Sequence, residues 1–100
     1  MKFIVSEKKT ENGTILVITD VEIIKKNFQD GNKQLDLTKK FYHGDEKNIA
    51  EVKELINKAY ILHLTGKNSV DLGLKLGLVD KNKILVIKNI PHAEAVVMKE

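Results

Sequence analysis

The sequence contains no cysteine and no arginine. Without cysteine there is no disulfide framework, no thiolate nucleophile and no cysteine-ligated zinc centre. Without arginine there is no rigid guanidinium fork, so two-point readout of guanine edges is excluded. All 17 basic residues are lysines, which are hydrated point charges suited to phosphate contacts. An A/T-rich genome favours the same bias towards lysine, isoleucine and asparagine. Aromatic residues are scarce, five in 100. No apolar run approaches the ~18 residues that span a bilayer. The opening Lys2-Phe3-Ile4-Val5 lacks the long apolar stretch of a signal peptide. Together these absences lead to the expectation of a soluble cytoplasmic protein with no membrane partner.

What is present is enough for a core. Hydrophobic residues make up 42% and charged residues 31%, a balance that argues against disorder. The net charge of +3 is mild. A single α/β domain over residues 1–100 is expected, since one core typically serves ~100–150 residues.

Residues 2–6 and Thr14–Thr19 read as two strands joined by a loose polar loop ending at Asn12-Gly13. The run TILVIT does not alternate, so it is expected to be buried on both faces. Thr19-Asp20-Val21-Glu22 has the form of a capping box, which predicts a short helix carrying Val21, Ile24 and Phe28 on one face. Gln34–Thr38 alternates as a half-buried strand. Asp45 is expected to open a second helix, because Ile49, Val52, Ile56 and Ala59 recur at helical spacing. Residues 60–64 read as a strand. From Val70 to Leu78 strict alternation favours a strand, whereas leucine content and the stop at Gly77-Leu78 favour a helix; the helix is the expectation. Lys83–Lys88 predicts a buried strand, Asn89-Ile90-Pro91 a turn, and Ala93–Met98 a last strand. The sum is a compact mixed sheet of about six short strands with three helices.

Several of these pieces together resemble an archaeal family known as domain of unknown function 424. They are Leu35-Asp36-Leu37-Thr38 leading to Phe41-Tyr42-His43-Gly44, Leu64-Thr65-Gly66-Lys67-Asn68-Ser69-Val70, Gly77-Leu78-Val79 and Ile90-Pro91-His92-Ala93. Asn89 departs from the pattern, which has glycine before the Ile-Pro-His run. The resemblance implies an archaeal cytoplasmic protein with a role near translation.

Three stretches carry candidate chemistry. Gly66, Lys67, Asn68 and Ser69 lie between a strand and a helix, where free amides and the helix dipole suit a phosphate. The spacing is not that of a P-loop or a dinucleotide fingerprint, and an ordinary glycine turn with a helix cap explains it as well. Lys39, Lys40, Tyr42 and His43, with Phe41 among them, interleave charge and rings as a single-strand nucleic-acid surface does. The plainer reading puts Phe41 over the core and the lysines in solvent. Pro91 and His92 place a histidine at a strand entry, suited to phosphate contact or proton transfer. His43 and His63 are its prospective partners, and a hydrogen-bonded core histidine is the plainer reading of His63. No two histidines have metal-ligand spacing, so no metal and no cofactor are expected unless tertiary folding assembles a site.

The first functional expectation is therefore a non-catalytic module that binds RNA or the ribosome through lysine–phosphate contacts. The second is a small phosphate- or nucleotide-binding protein or enzyme using residues 66–69. The third is a protein-binding adaptor or homodimer joined through a strand edge. No nucleophile elbow or acid–base pair is visible, so enzyme activity is the weaker expectation.

Overall fold

The computed structural model describes residues 1–97. Chain order begins with two long strands, β1 (Lys2–Thr10) and β2 (Gly13–Asp20), paired antiparallel from Phe3–Asp20 to Thr10–Gly13. β1 runs through what the sequence predicts to be a loose loop and leaves only Glu11-Asn12 as the turn. Thr10 Oγ1 closes that turn by donating to the Gly13 carbonyl at 2.7 Å. Gly13, at φ +132°, lies where an added Cβ would come within 2.8 Å of Tyr60 Cβ. A side chain at position 13 would therefore collide with the chain entering β6.

β2 is central, and Leu16 through Asp20 are buried, as its non-alternating run predicts. Its far neighbour is β6 (Ile61–Thr65), which runs parallel to it. The antiparallel strands β5 (Asp45–Asn48), β7 (Leu85–Ile87) and β8 (Ile90–Val96) complete a mixed six-stranded sheet in the order β5-β1-β2-β6-β8-β7. A separate hairpin joins β3 (Asn27–Asp30) to β4 (Lys33–Asp36).

Two α-helices, not three, cover one face of the sheet. α1 (Ile49–Lys58) turns Val52 and Ile56 into the core. α2 (Lys67–Lys75) buries Val70 and Leu72. They meet Phe3, Val5, Leu16, Ile18, Leu62, Leu64, Ala93 and Ala95 in one apolar cluster. The alternation of these strand residues sends their neighbours to the opposite face, where the site described below is built.

Four expectations are corrected. The predicted helix after Thr19 is a single 3-10 turn, Val21–Ile23. Lys25 at φ +67° breaks it, and Phe28 lies in β3 opposite Leu35. Asp45 opens a strand, not a helix. α1 starts after Asn48, whose side chain accepts from Glu51 N at 2.9 Å while Glu51 Oε1 accepts from Asn48 N at 3.1 Å. The strand expected at 83–88 shrinks to β7, an edge strand with Leu85 59% and Val86 52% exposed. Finally, the turn before β8 is Lys88-Asn89, both at positive φ, so that Pro91 sits within β8 opposite Val86.

The stop at Gly77-Leu78 is as expected. Gly77 at φ +73° lets Gly77 N donate to Leu74 O at 3.0 Å and Leu78 N to Gly73 O at 2.9 Å, a Schellman cap. The last strand ends at Val96, and Met98 lies outside the described residues. Among the described residues, no helix is long and apolar enough to cross a membrane.

Candidate functional site

Parallel pairing of β2 with β6 sets their C-terminal ends side by side. Asp20, the last residue of β2, therefore faces Gly66 and the start of α2, which follow β6 directly. Its carboxylate accepts from Asn68 N at 2.9 Å, Ser69 N at 2.8 Å and Ser69 Oγ at 2.7 Å. This is a helix cap supplied from 48 residues away in sequence, in place of a local cap residue. Gly66 has φ +109° and ψ 159°, a conformation essentially restricted to glycine, and an added Cβ would collide with the Asp20 carboxyl.

Of the proposed anion cradle, Gly66, Asn68 and Ser69 are thus already engaged, and Lys67 alone points into solvent. The shallow cleft beside them, about 300 Å³, is lined by Asp20 and Glu22 as well as Lys67. Two carboxylates in that lining oppose a phosphate.

On the sheet face away from the helices the pairing register brings the other candidates together. His63 of β6 lies opposite Glu94 of β8, and Thr65 opposite His92. His63 Nε2 is 3.4 Å from Glu94 Oε1, and the two imidazole centroids are 5.8 Å apart. Thr65 Oγ1 and His92 Nδ1 share a 2.7 Å hydrogen bond. Gly66 N donates to the Pro91 carbonyl at 2.9 Å, which pins the entry of β8 and so fixes His92. One ligand atom from each of His63, His92 and Glu94 lies within 4.8 Å of the others. A cleft of about 420 Å³, lined by Lys83, Leu85, His92, Ala93 and Glu94, opens the His92 and Glu94 side of this cluster to solvent.

The electrostatics follow from that packing. Burial first, and then the neighbouring His63, holds His92 below its ordinary value, with Glu94 pulling the other way. The neutral imidazole is the favoured form near neutrality. Two buried polar atoms on this face have no hydrogen-bond partner among the described residues, His63 Nδ1 and Thr19 Oγ1.

The basic–aromatic stretch sits over the same face as a 3-10 turn, Lys40–Tyr42. Phe41 packs edge-on against both Tyr42 and His63, with centroids 5.2 Å apart in each case. Lys8 of β1 places its Nζ 5.5 Å from the Phe41 ring centroid. Lys39, Lys40 and His43 are exposed, and Tyr42 is half-buried. Burial holds the Tyr42 phenol above its usual value, and the Asp36 and Glu94 carboxylates add to the effect.

Sequence reasoning names His63, His92 and the 39–43 stretch, and counts Lys8 only among lysines that could extend a basic face. It sets Thr65 in the 65–69 turn and Asp20 in a local capping box, and does not single out Glu94. The signal for Glu94 is its i, i+2 spacing from His92, which puts both on one face once the strand is extended back to Ile90. Thr65, Lys8 and Asp20 have no local signal of this kind, because each acts through a neighbouring strand or helix.

No curated protein matches the sequence. The fold is similar to that in the crystal structure of an uncharacterized conserved protein from Methanopyrus kandleri. The TM-score is 0.78 at 14% identity, over 100% of this chain and 96% of that one. This likeness is one of fold alone. A family described as protein of unknown function (DUF424) matches residues 7–98, and the chain belongs to that family.

Proposed function

We propose that this protein is a non-catalytic RNA- or ribosome-associated binding module, of archaeal type and working in the cytoplasm. The observation that carries the reading is Lys8, which reaches from β1 across the Phe41 ring. The fold thereby adds a cation from another strand to Lys39 and Lys40, beside the half-exposed Tyr42 and the exposed His43. Lysines would meet phosphates while Tyr42 offers a face or edge to an unstacked base.

Binding to labelled structured RNA at about 50 and 200 mM salt tests this directly. The expected result is clear binding at the lower salt that weakens steeply at the higher. Lys8→Ala, Lys39→Ala and Lys40→Ala each flatten the salt dependence, and Tyr42→Ala weakens binding by about 1–3 kcal/mol if a base stacks there. No binding at the lower salt overturns the reading.

A specific observation favours one alternative, the homodimer. β7 pairs only with residues 90–92 of β8, so among the described residues Ala93–Val96 presents its outer backbone edge without a strand partner, flanked by Val96 at 53% exposure. A solution mass of twice 11.3 kDa would support that reading. The phosphate reading of residues 66–69 has less support, since Asp20 already holds the amides of Asn68 and Ser69. Nucleotide-specific thermal stabilisation that is lost in Lys67→Ala would revive it.

A further inference from the structure

We propose that His63, His92 and Glu94 form a binding site for one divalent transition-metal ion of the zinc class. The inference is independent of RNA binding and rests on the sheet register. His63 and Glu94 are directly paired across β6 and β8, and His92 precedes Glu94 by two residues on the same strand. All three side chains therefore share one face. The placement is a consequence of strand pairing and needs no loop to hold it.

The distances suit a single ion. Metal bonds of ~2.1 Å to nitrogen and oxygen put tetrahedral ligand atoms about 3.4 Å apart. His63 Nε2 and Glu94 Oε1 are already separated by 3.4 Å. The full set lies within 4.8 Å, and side-chain rotation of about 1 Å closes it onto one ion.

The two rings are also held in place. Thr65 bonds His92 Nδ1, which leaves His92 Nε2 as the ligating atom and supplies the outer-shell partner that ligating histidines usually have. Phe41 packs edge-on against the His63 ring. A plain His63–Glu94 ion pair would not account for the convergence of His92 on the same point.

Two imidazole nitrogens and one carboxylate oxygen are a borderline donor set. It suits Zn²⁺, and next Co²⁺, Ni²⁺ or Fe²⁺, above Mg²⁺ or Ca²⁺, which prefer oxygen alone. Three protein ligands leave at least one coordination position, and the solvent-open cleft beside His92 and Glu94 gives water access to it.

The test uses the full chain stripped with a chelator. Zinc chloride is titrated by calorimetry, and cobalt chloride by visible absorption. One ion per chain and cobalt bands of a four- or five-coordinate site are expected. His63→Ala, His92→Ala and Glu94→Gln each weaken zinc by at least about 10-fold, Thr65→Val weakens it about 10-fold through His92, and His43→Ala leaves it unchanged. Because a ring deletion could disturb the sheet, the unaltered protein supplies a second readout, the histidine ring resonances on zinc addition. Shifts at His63 and His92 and none at His43 support the site. No saturable binding, unchanged affinity in both His63→Ala and His92→Ala, or shifts confined to His43 overturns it.

Discussion

Two polar clusters, one joining β2 to α2 and the other spanning β6 and β8, are built in opposite ways. At the end of β2, Asp20 is buried with three hydrogen bonds to Asn68 and Ser69, and the lone pairs and amides there serve one another. On the face away from the helices, His63, His92 and Glu94 converge with a single good bond, between His92 and Thr65, and a ring nitrogen without a partner among the described residues. A buried polar group lowers stability unless it is satisfied from within. The first cluster meets that demand and acts as a clamp between β2 and α2. The second leaves a ring nitrogen unsatisfied and sets His92 and Glu94 on a solvent-open cleft, which is the pattern of a surface kept for a ligand.

The clamp should show the largest effects. Asp20→Ala strips the buried acceptor from two amides and a hydroxyl, with an expected loss of about 2–4 kcal/mol in urea unfolding. Asp20→Asn, which keeps one acceptor oxygen, should recover roughly half of that. Gly66→Ala forces a side chain into a glycine-only backbone conformation and against Asp20. The backbone strain alone costs about 1–3 kcal/mol in the same measurement. If neither change moved the midpoint, the contrast between a closed and an open cluster would collapse.

The physical range of each signal decides what the sequence shows. β2, β6 and α1 are legible because their signals are local, and α2, whose alternation favours a strand, is legible through its leucine content and its Gly77 stop, since positive φ has a residue preference. The first predicted helix fails for an instructive reason. Thr19-Asp20-Val21-Glu22 does contain a helix-capping carboxylate, but the amides that Asp20 caps belong to α2. Composition cannot show which helix a cap serves. Likewise His63 and His92 are separated by β7, a helix and several turns, and only the β6–β8 register makes them neighbours. The strands expected at 83–88 and from Ala93 also hide the pairing of Glu94 with His63, since alternation must be counted from the correct first residue.

The open cluster should respond differently to mutation. His63→Leu removes a ring nitrogen that has no partner and a half-exposed contact to Glu94, while filling similar space beside Phe41. The expected change is within about 1 kcal/mol of the unaltered protein, or a gain, again by urea unfolding. A loss as large as that of Asp20→Ala would make His63 a structural residue and place both clusters in one class.

Tyr42 gives the smallest and most local test, because its phenol reports on the rim of the open cluster. Burial raises its folded-state value above 10.0, and Asp36 and Glu94 raise it further. In the window between 10.0 and the higher folded value, the unfolded chain has lost the phenolic proton while the folded chain keeps it. The unfolded state then binds fewer protons, so this group's contribution to stability is full below that window and declines as pH rises through it. Tyr42→Phe should flatten that alkaline decline relative to the unaltered protein, with little change at neutral pH. Glu94→Gln should flatten it only in part, since burial, the first cause, remains. Equal alkaline slopes in all three proteins would separate Tyr42 from the cluster and confine the open site to the two histidines and Glu94.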